Sequence, residues 1–306
     1  MSLALVLRAR GIGGLLTAVP ALRALRRGGL EVVLAAPGEL RELAPLTGAV
    51  RGLLATRGLE ELAWSGRRPD LAVNLHGPGP RSHRLLMAVR PRRLWGFAGP
   101  ALPHLRGPRW HEHEHEVERW CRLVSWYGSR PDPDDLGIAV PRCPNPAPGA
   151  VVVHPGGGEV AGRWPAERFA EVARAMAAEG LPVVVTGSRR ERPLALLVGT
   201  RARLNPRRVL AGRTSLAELC ALVAGARLVV SAETGVAHLA TAYDTPSVVI
   251  FGPESPARCG PPADRPWHRV LARGADRGAV SVEEVVAAGR EVLSVPVCST
   301  APSGRR

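Results

Sequence analysis

The feature that most constrains the fold of this chain is a repeated alternation of short apolar runs, glycine-bearing turns and helical segments. Residues 3–7 form an apolar run, residues 11–14 form a glycine-rich turn, and residues 15–22 carry apolar side chains at helical spacing. Similar strand-like runs at 31–35, 70–75 and 93–97 alternate with helical stretches near 39–46, 80–89 and 112–127. Because strands that are joined through helices pair in parallel, the alternation predicts a doubly wound parallel sheet.

The second half of the chain repeats this pattern after a proline-rich break. Six prolines lie between Arg130 and Gly149, where neither helical nor strand periodicity persists. Strand-like runs resume at 151–154, 182–186, 227–231 and 247–251, and helix-capping boxes begin at Ser215 and Ser281. We therefore predict an α/β protein with two Rossmann-like domains, whose parallel sheets face each other across a cleft. The predicted limits are 1–140 for the N-terminal domain, 141–149 for the linker, 150–294 for the C-terminal domain and 295–306 for a polar tail.

The positive charge of the chain is large but spread out. All 41 basic residues are arginine and the net charge is +14, yet the arginines are distributed along the whole sequence, and three Phe and two Tyr offer few stacking surfaces. Binding of single-stranded nucleic acid needs a basic groove with aromatic platforms, so no nucleic-acid partner is expected. Arginine side chains do suit small ligands that carry phosphate groups.

The cysteines and the first residues predict a cytoplasmic protein. The five cysteines are widely spaced and form no C-x-x-C pair, which is typical of reduced thiols. The apolar run at 3–7 is too short for a signal-peptide core or a membrane span. We expect a monomer with at most peripheral membrane contact.

Three turns are candidates for binding an anionic ligand: Gly11–Gly14, Gly156–Arg163 and Glu233–His238. Each follows a predicted strand, and parallel sheets bind ligands at the carboxyl ends of their strands, where helix N-termini attract anions. The third turn combines a carboxylate, a hydroxyl and an imidazole, which together could hold a ribose and a diphosphate. The residues alone leave open a structural interpretation, in which Thr234 only caps a helix and His238 only packs against its neighbours.

Short motifs over nearly the whole chain carry a family resemblance. In order, they are residues 3–25, His154-Pro-Gly156, Arg163-Trp-Pro165, Thr186-Gly187 with Glu191, residues 210–216, residues 231–240 and Phe251-Gly-Pro253. This series resembles glycosyltransferase family 9, the heptosyltransferase-like family of GT-B enzymes with two Rossmann-like domains. Each motif is weak alone, but their joint order is specific.

The resemblance implies an inverting transfer from a nucleotide diphosphate-sugar, ADP-heptose-like by family, to a glycan or glycolipid acceptor. The C-terminal domain would bind the donor and the N-terminal domain the acceptor, without a metal ion or other cofactor. By matched position, the donor-site residues would be Arg163 for the phosphates, Glu191 near the ribose, Thr214 by the base, and Glu233, Thr234, Gly235 and His238 at the diphosphate and ribose.

This chain departs from the family pattern on the acceptor side. The loop that contains Gly13 has Gly14 where the family places an aspartate that is proposed as the general base. Glycine cannot accept a proton, so His76, which follows a predicted strand of the N-terminal domain, is the candidate for the substitute base. The alternative for His76 is a turn residue that is hydrogen-bonded to the backbone. The missing aspartate also leaves open a catalytically impaired nucleotide-sugar-binding protein with a scaffold or regulatory role.

Two motifs are interpreted as coincidental. His111-Glu-His-Glu-His115 fits the zinc pattern H-E-x-x-H only through simple His/Glu alternation, so a structural or solvent-facing helix start is expected and no metal site is assigned. The turn at Gly11–Gly14 lacks the third glycine of a dinucleotide-binding fingerprint, which argues against an NAD enzyme.

Overall fold

The structure is a computed structural model that describes residues 2–100, 102–157 and 163–295. The chain divides into two compact units. Unit 1 contains the chain up to Pro144, together with Ser215–Ala221 and Glu254–Gly260. Unit 2 contains Asn145–Thr214, Leu222–Pro253 and the chain from Pro261 onward.

Unit 1 is built on a five-stranded parallel sheet with the strand order β3-β2-β1-β4-β5. The elements up to Pro144 are β1 (Ser2–Leu7), α1 (Ile12–Thr17), α2 (Val19–Arg27), β2 (Leu30–Ala36), β3 (Gly52–Ala55), β4 (Leu71–Asn74), α3 (Arg81–Ala88), β5 (Leu94–Trp95) and α4 (Glu116–Trp126). The central strands β1 and β4 are almost wholly buried, which explains why they consist of continuous apolar runs rather than alternating ones.

Unit 2 repeats the architecture with the strand order β10-β9-β8-β6-β7, again all parallel. The remaining elements are β6 (Val151–His154), α5 (Ala166–Ala178), β7 (Val183–Val185), α6 (Arg192–Arg201), α7 (Leu216–Ala224), β8 (Leu228–Ala232), α8 (Gly235–Ala242), β9 (Ser247–Ile250), α9 (Pro256–Cys259), β10 (His268–Leu271) and α10 (Val282–Ser294). Of these, α9 and the start of α7 belong to unit 1. The prediction of two parallel-sheet α/β domains is therefore confirmed, whereas the predicted domain limits stay a prediction.

The core of unit 2 packs α5 and α10 against the sheet. Trp164 and Phe169 are fully buried there and contact each other edge to face, with ring centroids 4.8 Å apart. The Trp164 indole donates a hydrogen bond of 2.9 Å to the Val280 carbonyl, so its single polar atom is satisfied in the core.

Both predicted capping boxes are present. Ser281 accepts from the Glu284 amide, and the Glu284 carboxylate accepts from the Ser281 amide, which fixes the start of α10. Ser215 and Glu218 exchange the same two bonds at the start of α7. These bonds satisfy backbone donors that the first turn of a helix leaves free.

One predicted helix is wrong. Residues 39–46 form two short 3₁₀ helices, Gly38–Arg41 and Ala44–Thr47, instead of one α-helix. Pro45 lies inside the predicted span, where its missing N–H and its ring are incompatible with a continuous α-helix.

Among the helices of residues 2–100, 102–157 and 163–295, none has both the length and the apolar character needed to cross a bilayer.

Candidate functional site

Each sheet has one point at which the strand order reverses direction. The turns at these two points are among those that the sequence predicts as candidates for binding an anionic ligand. In unit 1 the chain passes from one side of β1 to the other, so the reversal lies between β1 and β4. In unit 2 it lies between β6 and β8. Ligands of open parallel α/β sheets bind outside the carboxyl ends of the strands at these reversals.

The reversal in unit 2 brings the glycine turn after β6 against the turn after β8. Gly157 has a φ of +97°, and a Cβ at this position would lie 2.3 Å from Thr234 Cγ2. Only glycine therefore allows this approach of the two turns. Residues 158–162, which belong to the predicted Gly156–Arg163 turn, lie outside the described residues.

Glu191 ties this glycine turn to the end of β7. Its Oε1 accepts a 2.8 Å hydrogen bond from the Gly157 amide, and its Oε2 accepts one of 2.8 Å from the Ser188 amide. Burial raises the pKa of Glu191, but the hydrogen bonds from Ser188 and Gly157 and the nearby His154 outweigh that effect and leave the pKa below its usual value. The carboxylate thus stays ionised and positions two turns at once, a role that the sequence did not reveal.

Arg163 lies beside the same turn. Its Nε donates a 3.1 Å hydrogen bond to the Gly157 carbonyl. This bond keeps the cationic side chain next to the backbone that would approach a diphosphate.

The turn after β8 forms the start of helix α8. Thr234 is the N-cap residue, and its Oγ1 accepts a 3.3 Å hydrogen bond from the Val236 amide. His238 Nε2 lies 3.8 Å from Glu233 Oε1, and both side chains keep some exposure, 14% and 22%. Thr234 therefore does cap the helix, while Gly235 and its neighbours supply backbone donors that attract an anion.

Thr214 follows residues 210–212, which run along the end of β7. The amides of Leu210 and Gly212 donate to the carbonyls of Val185 and Gly187 there. Thr214 is half-buried and immediately precedes the Ser215 cap of α7.

The reversal in unit 1 is organised around Arg8, which directly follows β1 and is 1% exposed. Arg8 donates to the carbonyls of Gly14 (2.7 Å) and Leu75 (2.9 Å). It also donates to Thr17 Oγ1 (3.1 Å) and Glu116 Oε2 (2.6 Å). Burial lowers the pKa of Arg8 to about 10, partly offset by the attraction of Glu116, so the guanidinium remains a cation at neutral pH.

Gly13 and Gly14 lie within helix α1 and not in a loop as predicted, because the helix begins at Ile12, directly after the short turn that follows β1. A Cβ at residue 14 would lie 2.3 Å from Arg10 Cβ and 3.4 Å from Arg8 Nε. Arginine side chains therefore occupy the space in which a side chain of residue 14 would begin.

His76 follows β4 at the same reversal. Its backbone amide donates a 3.0 Å bond to Asn74 Oδ1, and its Nδ1 is buried without a hydrogen-bond partner among the described residues. Burial, together with the charges of Arg10 and Arg8, lowers the pKa of His76 to about 4, against a smaller opposing effect of Glu116. The imidazole is neutral at pH 7 and a weaker base than a free one, and its catalytic role stays a prediction.

The His/Glu repeat at 111–115 precedes α4, which begins at Glu116. The H-E-x-x-H motif needs both histidines on one face of a helix, and residues 111–115 are not helical, so this requirement is not met. Arg119 instead holds this turn by donating to the carbonyls of His111, Glu112 and Glu114. Within the described part of the chain, no group of three His, Cys, Asp or Glu side chains is placed to bind a metal ion.

Comparisons with known proteins agree with this arrangement. The profile of "Glycosyltransferase family 9 (heptosyltransferase)" matches residues 111–280, more than half of the chain. "Lipopolysaccharide heptosyltransferase 1" of Pseudomonas aeruginosa is 34% identical over 48% of this chain, and "Lipopolysaccharide heptosyltransferase 2" of Salmonella typhimurium is 36% identical over 31%. The matched segments span 42% and 28% of those relatives, less than half of their length.

Solved structures extend the likeness in fold over nearly the whole chain. The structure of E. coli ADP-heptose lps heptosyltransferase II has a TM-score of 0.77 at 21% identity, covering 96% of this chain and 98% of that one. A glycosyltransferase of family 9 from Veillonella parvula has a TM-score of 0.78 at 18% identity, covering 95% and 97%. The two units match a GT-B fold. Together with the profile match, this result shows that the chain belongs to glycosyltransferase family 9.

Proposed function

We propose that this protein transfers a sugar from a nucleotide diphosphate-sugar to a hydroxyl of a glycan or glycolipid acceptor, with inversion at the anomeric carbon and without a metal ion. Unit 2 binds the donor and unit 1 the acceptor. The observation that carries the proposal is the placement of the Gly157 and Glu233–Gly235 turns side by side at the strand-order reversal of unit 2. This is where a sheet of this kind binds a nucleotide.

In this proposal, the donor diphosphate lies at the start of α8. The amides near Gly235 and the guanidinium of Arg163 stabilise the charge that develops on the leaving diphosphate. Glu233, Thr234 and His238 contact the diphosphate and the ribose. Glu191 lies near the ribose and Thr214 by the base. These cationic and backbone groups supply the neutralisation that a divalent cation provides in other transferases.

ADP is the first nucleotide to test. A structure of E. coli heptosyltransferase WaaC contains ADP, and its likeness to this chain has a TM-score of 0.74 at 18% identity. We propose an ADP-heptose-like donor on this basis, and we further propose a cytoplasmic monomer with at most peripheral membrane contact.

A thermal-shift and calorimetric screen of ADP-, GDP-, UDP- and dTDP-sugars tests the donor, and analysis of the products then tests the reaction. We expect one nucleotide to bind and its sugar to appear on an acceptor with the opposite anomeric configuration. Absence of binding for all four would contradict the donor site.

The second candidate function is that of a catalytically impaired nucleotide-sugar-binding protein with a scaffold or regulatory role. The glycine at position 14, crowded by Arg10, favours it. Tight donor binding without transfer to any acceptor would support this candidate.

A further inference from the structure

The strand-order reversal of unit 1 contains a carboxylate that no sequence motif identified. We propose that Glu116 accepts the proton of the acceptor hydroxyl during transfer, an inference that rests on the proposed function. Glu116 is the first residue of α4, yet its carboxylate lies at the turn after β1.

Two hydrogen bonds hold one oxygen of this carboxylate and leave the other available. Oε2 accepts from Arg8 Nη2 at 2.6 Å and from Thr17 Oγ1 at 3.0 Å. No residue of the described chain donates to Oε1, and this atom is not among the buried polar atoms without a partner. The side chain is 24% exposed, whereas that of its partner Arg8 is 1% exposed. A buried cation thus orients the carboxylate, and its second oxygen remains available to accept a proton.

The same contacts place Glu116 close to Gly14, the position at which the family pattern has an acidic side chain. Arg8 and Thr17, which bond to Glu116, also contact the Gly14 carbonyl. Arg8 Nε donates to this carbonyl at 2.7 Å, and Thr17 Oγ1, whose single proton serves one acceptor at a time, lies 3.2 Å from it. A side chain at residue 14 would collide with Arg10. The carboxylate of this site is therefore supplied by α4, 108 residues further along the chain than Arg8.

Position, not charge, favours Glu116 over His76 as the proton acceptor, because Arg8 and Thr17 contact both its carboxylate and the Gly14 carbonyl. Arg8 and Arg10 from the turn after β1, Arg119 from α4 and His76 after β4 are the titratable groups that interact with it. Burial raises the pKa of Glu116, but Arg8, the Thr17 hydrogen bond and Arg10 outweigh that effect and keep it ionised at neutral pH. Arg8 and Arg10 also lower the pKa of His76, so both groups are weak bases in this environment. The side chain of Glu116 is 24% exposed, whereas His76 Nδ1 is buried.

The step balances without another reactant. The acceptor oxygen forms a bond to the anomeric carbon of the donor sugar while the bond from that carbon to the β-phosphate oxygen breaks. The diphosphate leaves with the electron pair, and the hydroxyl proton passes to Glu116 Oε1. Solvent then takes this proton and restores the carboxylate.

The test compares Glu116→Gln with Glu118→Gln, which changes an exposed carboxylate on the same helix. Glutamine keeps a carbonyl oxygen for Arg8 and Thr17 but accepts no proton. With ADP-heptose as donor and water in place of the acceptor, we expect Glu116→Gln to lower kcat for ADP release by about 10²-fold or more, with the calorimetric Kd of ADP unchanged. Glu118→Gln should release ADP at the wild-type rate, and formate, a small diffusible base, should restore part of the activity of Glu116→Gln.

The pH profile separates proton transfer from a purely structural role. The wild-type rate should fall on acidification as Glu116 takes up a proton, and this acid limb should disappear in Glu116→Gln but persist in His76→Ala. If Glu116→Gln does not fold, Glu116→Asp replaces it, and it should retain the acid limb with a lower kcat.

The outcomes are distinct. ADP binding and release in the wild type, with Glu116→Gln within threefold of its rate, would overturn the role of Glu116 alone. An acid limb that disappears in His76→Ala would assign the base to His76 instead. A wild type that neither binds ADP nor releases it from ADP-heptose would reject the proposed donor, and the inference with it.

Discussion

At the scale of single residues, the turn after β6 in unit 2, where we propose that the donor binds, depends on a glycine with two constraints that can be measured separately. Gly157 has both a positive φ and a blocked Cβ position, whereas Gly180 has a φ of +78° and no atom within 4 Å of a Cβ. Alanine at a positive φ costs about 1–3 kcal/mol. We expect Gly157→Ala to lower the free energy of urea unfolding by at least as much as Gly180→Ala, and to weaken ADP binding as well. Equal ADP affinity in both variants would show that the turn does not touch the donor.

The polar residues at the start of α8 give a second residue-scale prediction. Glu233→Ala and His238→Ala each remove a side chain that stays partly exposed beside the helix N-terminus. Each should weaken calorimetric binding of the nucleotide diphosphate, by about tenfold if one hydrogen bond to a charged group is lost. Glu171→Ala, on the exposed side of α5, serves as the control. Wild-type affinity in both variants would remove the proposed contacts.

At the scale of secondary structure elements, the start of α10 depends on its capping box. Ser281→Ala removes the acceptor of the Glu284 amide and should lower the free energy of unfolding by about 1 kcal/mol, whereas Ser281→Gly should cost only a few tenths. The pair is a matched comparison, because both variants lose the hydroxyl and only alanine is a poor N-cap. A similar loss in both would show that the hydroxyl itself, rather than the poor capping by alanine, sets the stability of this cap, and no loss in Ser281→Ala would contradict the prediction.

At the scale of the whole molecule, buried neutral histidines make stability depend on pH. His268 is 7% exposed and its Nδ1 lies 2.9 Å from Ser247 Oγ. Burial, with a smaller effect of Arg265, lowers the pKa of His268 to about 4. The unfolded chain, with an ordinary histidine pKa, binds the proton first. The stability present above about pH 6.5 is therefore lost as the pH falls towards 4, by about 3 kcal/mol for this residue.

Urea unfolding of the wild type and of His268→Gln at pH 7, 5.5 and 4 measures this contribution. The difference in unfolding free energy between the two proteins should change with pH, since the other titrating groups are common to both. A difference that is constant from pH 7 to pH 4 would contradict the low pKa.

A second prediction for the whole molecule is that the reaction needs no metal ion. If Arg163 and the amides of α8 neutralise the donor charge as proposed, treatment with EDTA should leave both transfer and the thermal midpoint unchanged. Loss of activity in EDTA and recovery with zinc would point back to the His/Glu repeat at 111–115.

The sequence by itself determined the elements whose causes are local. Continuous apolar runs predicted the buried central strands, both capping boxes are read from residues three apart, and the glycine and Glu233–Gly235 turns follow directly from the strands that position them. The prediction failed where a local signal was weak or misread. The edge strands β3 and β10 were not predicted, because they are only partly buried and lack the continuous apolar run of the central strands, and Pro45 divides the predicted helix at 39–46.

Only the tertiary structure decided which distant side chains serve these turns. Glu191 reaches the Gly157 amide from 34 residues away, and Glu116 reaches Arg8 across 108 residues. The spacing of apolar residues along the sequence does not predict such contacts, because they form only when parallel strands bring their carboxyl ends to one edge of a sheet. The pKa of His76 follows the same rule: an imidazole that looks ordinary in the sequence becomes a weak base only because folding buries it beside Arg8 and Arg10.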